Sequence, residues 1–349
     1  MLKRQIILIT VFVGLFKCCF AQDYKFHHIT TIDGLSHNEV RKIVKDTEGF
    51  LWFGTQNGLN RFDGYQLKVF KHVPHDSTTI KADKIYALAT SKDKLWVGTT
   101  SGISILDTKS LAIVPSPQIS AVLDGITILK LYHDKHGRIW VSTEQDNFLI
   151  DTETLDIRNC LSSYRIVSVA DGLGEYYWIG TDDGLLKYDM ENSSIIKAYD
   201  IGRFSIYDQN QVYVNSYGEV WATVGDHLYR YQSERDRFVL EHTSKALNFI
   251  AENKEGAMFF GSYGGGLLEY SRITGLFTSN IADHGRKYSL SSNDVYDVFV
   301  DDENILWVGT QEGLDYYDYT RDRFHSLVHG PGNRNSLRSS FVQSMCGIS

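Results

Sequence analysis

Three groups of residues in this chain have types and spacings that could do chemistry. The first is histidine: His27 beside His28, and His72 near His75, have the look of metal pairs. Adjacent residues on a strand face opposite sides, however, and no carboxylate or cysteine set completes either pair, so packed or solvated imidazoles are expected. The second is a series of oxygen-rich tetrapeptides: DTEG (46–49), DKHG (134–137), NSYG (215–218), NKEG (253–256) and DDEN (301–304). A calcium loop needs several oxygens at alternating positions, which these lack. They read instead as hairpin turns, in which an Asx side chain accepts a backbone N–H and Gly or Asn supplies the positive φ that returns the chain. The third group is polar and scattered: Asn38, Gln56, Asn57, Asp83, Tyr263, Asn293 and Gln311. Amides, a carboxylate and a phenol ring offer what sugar hydroxyls require, paired donors and acceptors plus a flat apolar face. They are the candidate ligand-binding residues, provided the fold brings them to one surface. No nucleophile with its base, no G-x-S-x-G and no phosphate loop accompanies them, so no catalytic residue, cofactor or metal is expected.

The elements that would position these residues are set by a pentapeptide. It occurs as LWFGT (51–55), LWVGT (95–99), IWVST (139–143), YWIGT (177–181), VWATV (220–224), MFFGS (258–262) and LWVGT (306–310). The aromatic anchors Trp52, Trp96, Trp140, Trp178, Trp221, Phe259 and Trp307 are 38 to 48 residues apart, with a mean spacing of 42.5. That is the period of a four-stranded propeller blade. The first repeat predicts strands over 40–46, 50–55, 58–63 and 67–72, each a short run punctuated by turn residues. After the second strand comes Thr-x-x-Gly-Leu or a relative of it, where glycine suits a tight turn. The anchors alternate with small residues, as Trp52 does with Gly54, so large and small side chains meet where blades pack, and the anchors are expected in the core. The expected fold is therefore all-β: a seven-bladed propeller of four-stranded antiparallel blades over 22–330. No Trp-Asp dipeptide ends a strand, which leaves a WD40 array unsupported. No Ser-x-Asp-x-Gly-x-Thr-Trp box is present either.

Composition agrees with one large domain. The 349 residues are 42% hydrophobic and 13% aromatic, with 29 glycines and only 4 prolines, the balance of a globular chain of short strands and tight turns. Lys3 and Arg4, an apolar run over 6–16 and a small-x-small site at 19–21 predict a cleaved signal peptide over 1–21 and a periplasmic location. Lys17 interrupts the apolar run before it reaches the length of a membrane anchor. Removing the signal takes three cations from a formal charge of −8, leaving −11. An acidic body argues against nucleic acid as a partner, and no later segment predicts membrane contact. Only Cys160 and Cys346 would remain, too few for a disulfide framework.

The ends carry a surplus. Residues 24–30 (YKFHHIT) predict a lone outer strand before the first blade, while 323–328 predict an outer strand for the seventh. Two segments thus compete for one closing position. The stretch NSLRSSFV (335–342) repeats YSLSSNDV (288–295) 47 residues later, so 331–349 is expected to begin a further propeller repeat that is cut short.

Residues 34–65, GLSHNEVRKIVKDTEGFLWFGTQNGLNRFDGY, closely resemble the two-component regulator propeller repeat, and the first and seventh repeats are the most specific. Departures concentrate in the fifth and sixth, where 220–224 loses the glycine and Phe259 replaces Trp. That repeat fills the periplasmic sensor region of hybrid two-component histidine kinases. The resemblance implies a sensor module that binds a polysaccharide-derived oligosaccharide, partnered by further propeller and sensor domains of a parent protein. The membrane helix and kinase would lie beyond this chain. The alternatives are a propeller lyase or glycosidase, and a non-catalytic scaffold for protein partners.

Overall fold

The computed structural model describes residues 24–205 and 209–319. Each blade begins at the ring axis and runs outward through antiparallel neighbours. Blade one comprises Val40–Lys45, Leu51–Thr55, Gly58–Phe62 and Leu67–Phe70, so the strands expected from its turn chemistry all form. The innermost strands of blades two to seven are Ile85–Ser91, Lys130–His133, Ile166–Asp171, Val212–Val214, Leu247–Glu252 and Val295–Val300. The segments expected to hold the signal peptide (1–21), the rival closing strand (323–328) and the start of an eighth repeat (331–349) lie outside the described residues.

The closing position is taken by the N-terminal strand. His27–Ile29 pairs antiparallel with the third strand of blade seven, His27 opposite Tyr316 and Ile29 opposite Leu314. Pairing a strand from before blade one with the third strand of blade seven staples the ring shut at that seam. The second blade departs from the expected four strands. Its three strands end at Gly102–Asp107, and beyond them one bridge, Leu106 to Ile113, leads into the helix Pro117–Leu123. Pro115 and Pro117 explain this: neither can donate to a ladder, and proline suits the first turn of a helix.

Each aromatic anchor fills the seam between its own blade and the next. Among the described residues seven apolar clusters appear, one per seam; Trp52 packs with Ile85 and Leu88 of blade two, and Trp307 with Val40 and Phe53 of blade one. All seven anchors are buried, the most accessible being Trp307 at 4%. The small residue two places later is a socket. A Cβ on Gly54 would lie 2.7 Å from Ile85 Cγ2, one on Gly261 2.7 Å from Val295 Cγ1, and one on Gly309 2.7 Å from the Val40 carbonyl. Glycine is required there because the next innermost strand begins against it. Where Ser142 and Thr223 stand instead, their hydroxyls donate to the Ile166 and Asn248 carbonyls of the following blade.

The oxygen-rich tetrapeptides are the predicted hairpin turns, with an additional role. Asp46 Oδ1 accepts from the backbone N–H groups of Glu48 and Phe50, and Gly49 takes φ 92°. Its second oxygen accepts the Trp52 indole N–H at 2.7 Å. Asp134 does the same for Trp140 at 3.0 Å and Asp301 for Trp307 at 2.9 Å. Turn and anchor are thus one unit. The threonine ending the pentapeptide likewise caps the next turn: Thr55, Thr99, Thr181 and Thr310 hydroxyls donate to the carbonyls of Gly58, Gly102, Gly184 and Gly313.

Candidate functional site

At one end of the ring, innermost strands carry β-bulges that separate two consecutive side chains. The ladder slips between Val40 and Lys42, between Ile85 and Ala87, and between Val295 and Asp297. The extra residues are Arg41, Tyr86 and Tyr296. Bulges re-aim side chains and recur beside functional sites, and here they gather three blades at the mouth of the channel. The Arg41 guanidinium lies between two rings, 5.2 Å from the centre of Tyr86 and 5.3 Å from that of Tyr296. Glu39 forms an ion pair with it. Tyr263 meets Tyr296 edge-on at 5.4 Å, and the Lys84 ammonium lies 5.1 Å from Tyr86.

This mouth is not a self-satisfied network. Arg41 Nε and Gln56 Oε1 are buried without a hydrogen-bond partner among the described residues. Unpaired buried polar atoms are rare in folded proteins, and each calls for a reason. Burial and the negative charge of Glu39 push the Tyr296 phenol upward, opposed by Arg41, with Asp294 adding to the rise. Tyr296 therefore stays a neutral hydrogen-bond donor and acceptor across the physiological range.

The candidate residues read from the sequence divide into two groups. Gln56, Tyr263 and Gln311 lie on this face: the Gln56 N–H donates to the Glu39 carbonyl, Tyr263 bridges Asp294, and the Gln311 N–H donates to the Asp294 carbonyl. Asn38, Asp83 and Asn293 hold the loops in shape. Their side-chain oxygens accept from the backbone N–H groups of Thr31, His72 and Ala282 respectively. Asn57 is held by Lys71, whose ammonium donates to its side-chain oxygen at 2.6 Å. Arg41, Tyr86 and Tyr296 were absent from the candidates because they belong to strands rather than loops. A signal was available: each follows directly on the apolar residue opening a first strand, ten or eleven positions before its anchor.

The histidines of both pairs are solvated or held by protein partners, as expected: His27, His28 and His75 are exposed and His72 is half-buried. His28 Nδ1 lies 2.6 Å from the buried Asp315 carboxylate, His27 stacks on Tyr316, and His72 Nδ1 meets the Ile80 carbonyl at 2.7 Å.

Innermost strands of several blades enclose a cavity of about 370 Å³ that reaches the mouth at Tyr86. Tyr86 lines it at the mouth; Lys42, Lys130, Tyr132, Gln211 and Phe249 line its wall. Lys42 donates to the buried Asp297 at 2.8 Å, and the other oxygen of Asp297 accepts the Ile43 N–H at 2.7 Å, tying blade seven to blade one. Burial pushes the Asp297 carboxyl upward against the opposing pull of Lys42.

Comparison with known proteins agrees with this architecture. The model of the two-component regulator propeller family matches residues 34–57 and 289–312, the first and seventh repeats. A 58-residue stretch, 17% of this chain, is 47% identical to Histidine kinase P4 of Formosa agariphila and covers 4% of that protein. Among solved structures, the extracellular domain of the hybrid two-component system BT3049 from B. thetaiotaomicron superposes with a TM-score of 0.75 at 21% identity. The match covers 93% of this chain and 45% of that one. A streptogramin B lyase shares the fold at a TM-score of 0.62 and 12% identity, over 84% of this chain and 97% of that one. The chain thus spans less than half of the first two proteins, and likeness at such identities concerns the fold alone. No helix among the described residues is long and apolar enough to cross a membrane. By its closed ring this chain is a seven-bladed propeller, and two of its repeats, at 34–57 and 289–312, match the two-component regulator propeller family.

Proposed function

We propose that this chain is the ligand-recognition module of an exported sensor, and that it binds a polysaccharide-derived oligosaccharide at the bulged mouth of the ring. One observation carries the reading: three tyrosines, a guanidinium, a carboxylate and an amide from blades one, two, six and seven converge there around unpaired polar atoms. Flat rings cover the apolar faces of a sugar, while fixed donors and acceptors read its hydroxyls. The kinase name of the Formosa relative and the extracellular domain of BT3049 support a sensor setting. The basic, apolar and small-residue pattern of 1–21 supports a periplasmic one. Output through a kinase is proposed for a longer parent protein, in which this ring is one part.

The test is to incubate the purified chain with polysaccharide digests while following thermal stability and product formation. Saturable stabilisation with no product is expected, and Arg41→Ala should weaken binding about tenfold, equivalent to about 1.4 kcal/mol. Turnover without an added enzyme would establish the lyase or glycosidase reading instead. Silence in both assays across all digests would leave the scaffold reading.

A further inference from the structure

The channel wall carries a feature that the recognition of neutral sugars does not use. Lys42 of blade one and Lys130 of blade three approach the same ring of Phe249, their ammonium nitrogens 5.3 Å and 5.7 Å from its centre. One carboxylate, Asp297, faces them from blade seven, and Lys42 already holds it. Lys130 donates to the Gln209 side chain and forms no ion pair among the described residues. The chain as a whole is acidic, at −8, yet its cavity gathers a surplus positive charge.

From this placement we infer that the channel is a binding site for one small oxyanion, the carboxylate of an acidic sugar, seated against Lys130 beside Phe249. This deepens the recognition reading above and rests on it for the sugar. The volume of about 370 Å³ falls in the ~300–1,000 Å³ range of small-molecule sites. Gln211 adds a donor on the same wall: its carbonyl oxygen accepts the Ile250 N–H, and its amide NH2 has no partner among the described residues. In a low-dielectric cavity an anion that neutralises an unpaired ammonium gains far more than it would in water.

The protonation of Lys130 should report on occupancy. Burial first, and the neighbouring Lys42 second, push its pKa down to about 7, against the opposing effect of Asp297. Tyr132 and His133 on its own strand and Tyr86 of blade two complete the titratable groups that line the cavity. The empty site therefore loses its extra charge near neutral pH, and anion binding should weaken as pH rises.

The experiment is calorimetric titration of the full chain with D-glucuronate, D-glucose and sodium sulfate at pH 6.0 and 8.5, repeated on Lys130→Gln. Glucuronate is expected to bind saturably at pH 6.0 and roughly tenfold more weakly at pH 8.5, since a pKa near 7 leaves little ammonium there. Glucose should give no heat, and the variant should lose both the binding and its pH dependence. Because the wild-type pH series stands alone, a variant that fails to fold leaves the inference open to refutation. Sulfate binding as strong as that of glucuronate supports the anion site and identifies a free oxyanion as its occupant; glucuronate alone identifies the acidic sugar. Glucuronate no better than glucose, or a folded Lys130→Gln variant that binds as tightly as wild type, would overturn the inference. If digests stabilise the protein while glucuronate and sulfate do not, the channel site falls and recognition at the mouth stands. If glucuronate binds and no digest does, the reverse holds.

Discussion

Blades one and seven differ from blades five and six in a way that explains how the repeat works. In the first pair, an aspartate opens the hairpin turn and its second oxygen holds the indole N–H of the anchor tryptophan. In the second pair the turn residue is Asn215 or Asn253, whose amide NH2 cannot accept an N–H. Blade six answers with Phe259, an anchor that has no N–H to satisfy. Blade five keeps Trp221, whose Nε1 is buried without a partner, and blade four leaves Trp178 in the same state. The turn and the anchor six residues later are therefore one coupled unit. The family model matches only 34–57 and 289–312, within the two blades where the coupling, the glycine socket and the threonine cap all occur together.

The comparison can be broken in graded steps. Trp52→Ala in blade one should have the largest effect, about 3–5 kcal/mol in chemical denaturation, because it empties a fully buried seam. A loss below about 1 kcal/mol would mean that the seam collapses onto the gap. Gly54→Ala should cost about 1–3 kcal/mol, since the new methyl meets Ile85 at 2.7 Å. A matched pair sharpens the point. Trp52→Phe leaves an oxygen of the buried Asp46 without its donor, whereas Trp221→Phe removes an N–H that was already unpaired. The first should therefore be the more destabilising by about 1–3 kcal/mol, and equal losses would refute the coupling of turn and anchor.

The smallest effect concerns the closing strand. The hydrogen bond to Asp315 raises the pKa of His28, outweighing the opposing effect of burial. A group whose pKa is raised on folding contributes stability that is complete below its unfolded pKa, about 6.5. That contribution disappears as pH rises through the folded value. Melting temperatures between pH 5.5 and pH 9 should fall more for wild type than for His28→Gln; parallel curves would remove His28 from the closure.

Most of the fold was legible because its signals are local. Asp46 with Gly49 specifies a turn, Thr55 with Gly58 the next, and Trp52 with Gly54 a packed seam, all within 13 residues. The closure was only half legible. Two segments had suitable strand patterns, and what separates them is the pairing of His27–Ile29 with a strand almost 290 residues away. Blade two misled because its period of 44 residues is normal while its contents, Pro115 and Pro117, are not. At the mouth, loop chemistry pointed to Gln56 and Tyr263. Arg41, Tyr86 and Tyr296 were hidden because a bulge is a ladder slip between two strands, invisible in either strand alone. Asn38, Asp83 and Asn293 show the opposite difficulty: side chains that cap turns are of the same types as those that bind sugars.

The proposed division of labour between buried seams and a recognition face at the mouth is tested most directly by amide hydrogen exchange with a stabilising digest. Bound ligand should protect the amides around Glu39, Arg41, Gln56, Tyr86, Tyr263 and Tyr296 and leave the outer strands unchanged. Protection confined to the outer strands, such as Ser194–Tyr199 or Arg237–Thr243, with none at the mouth, would contradict it.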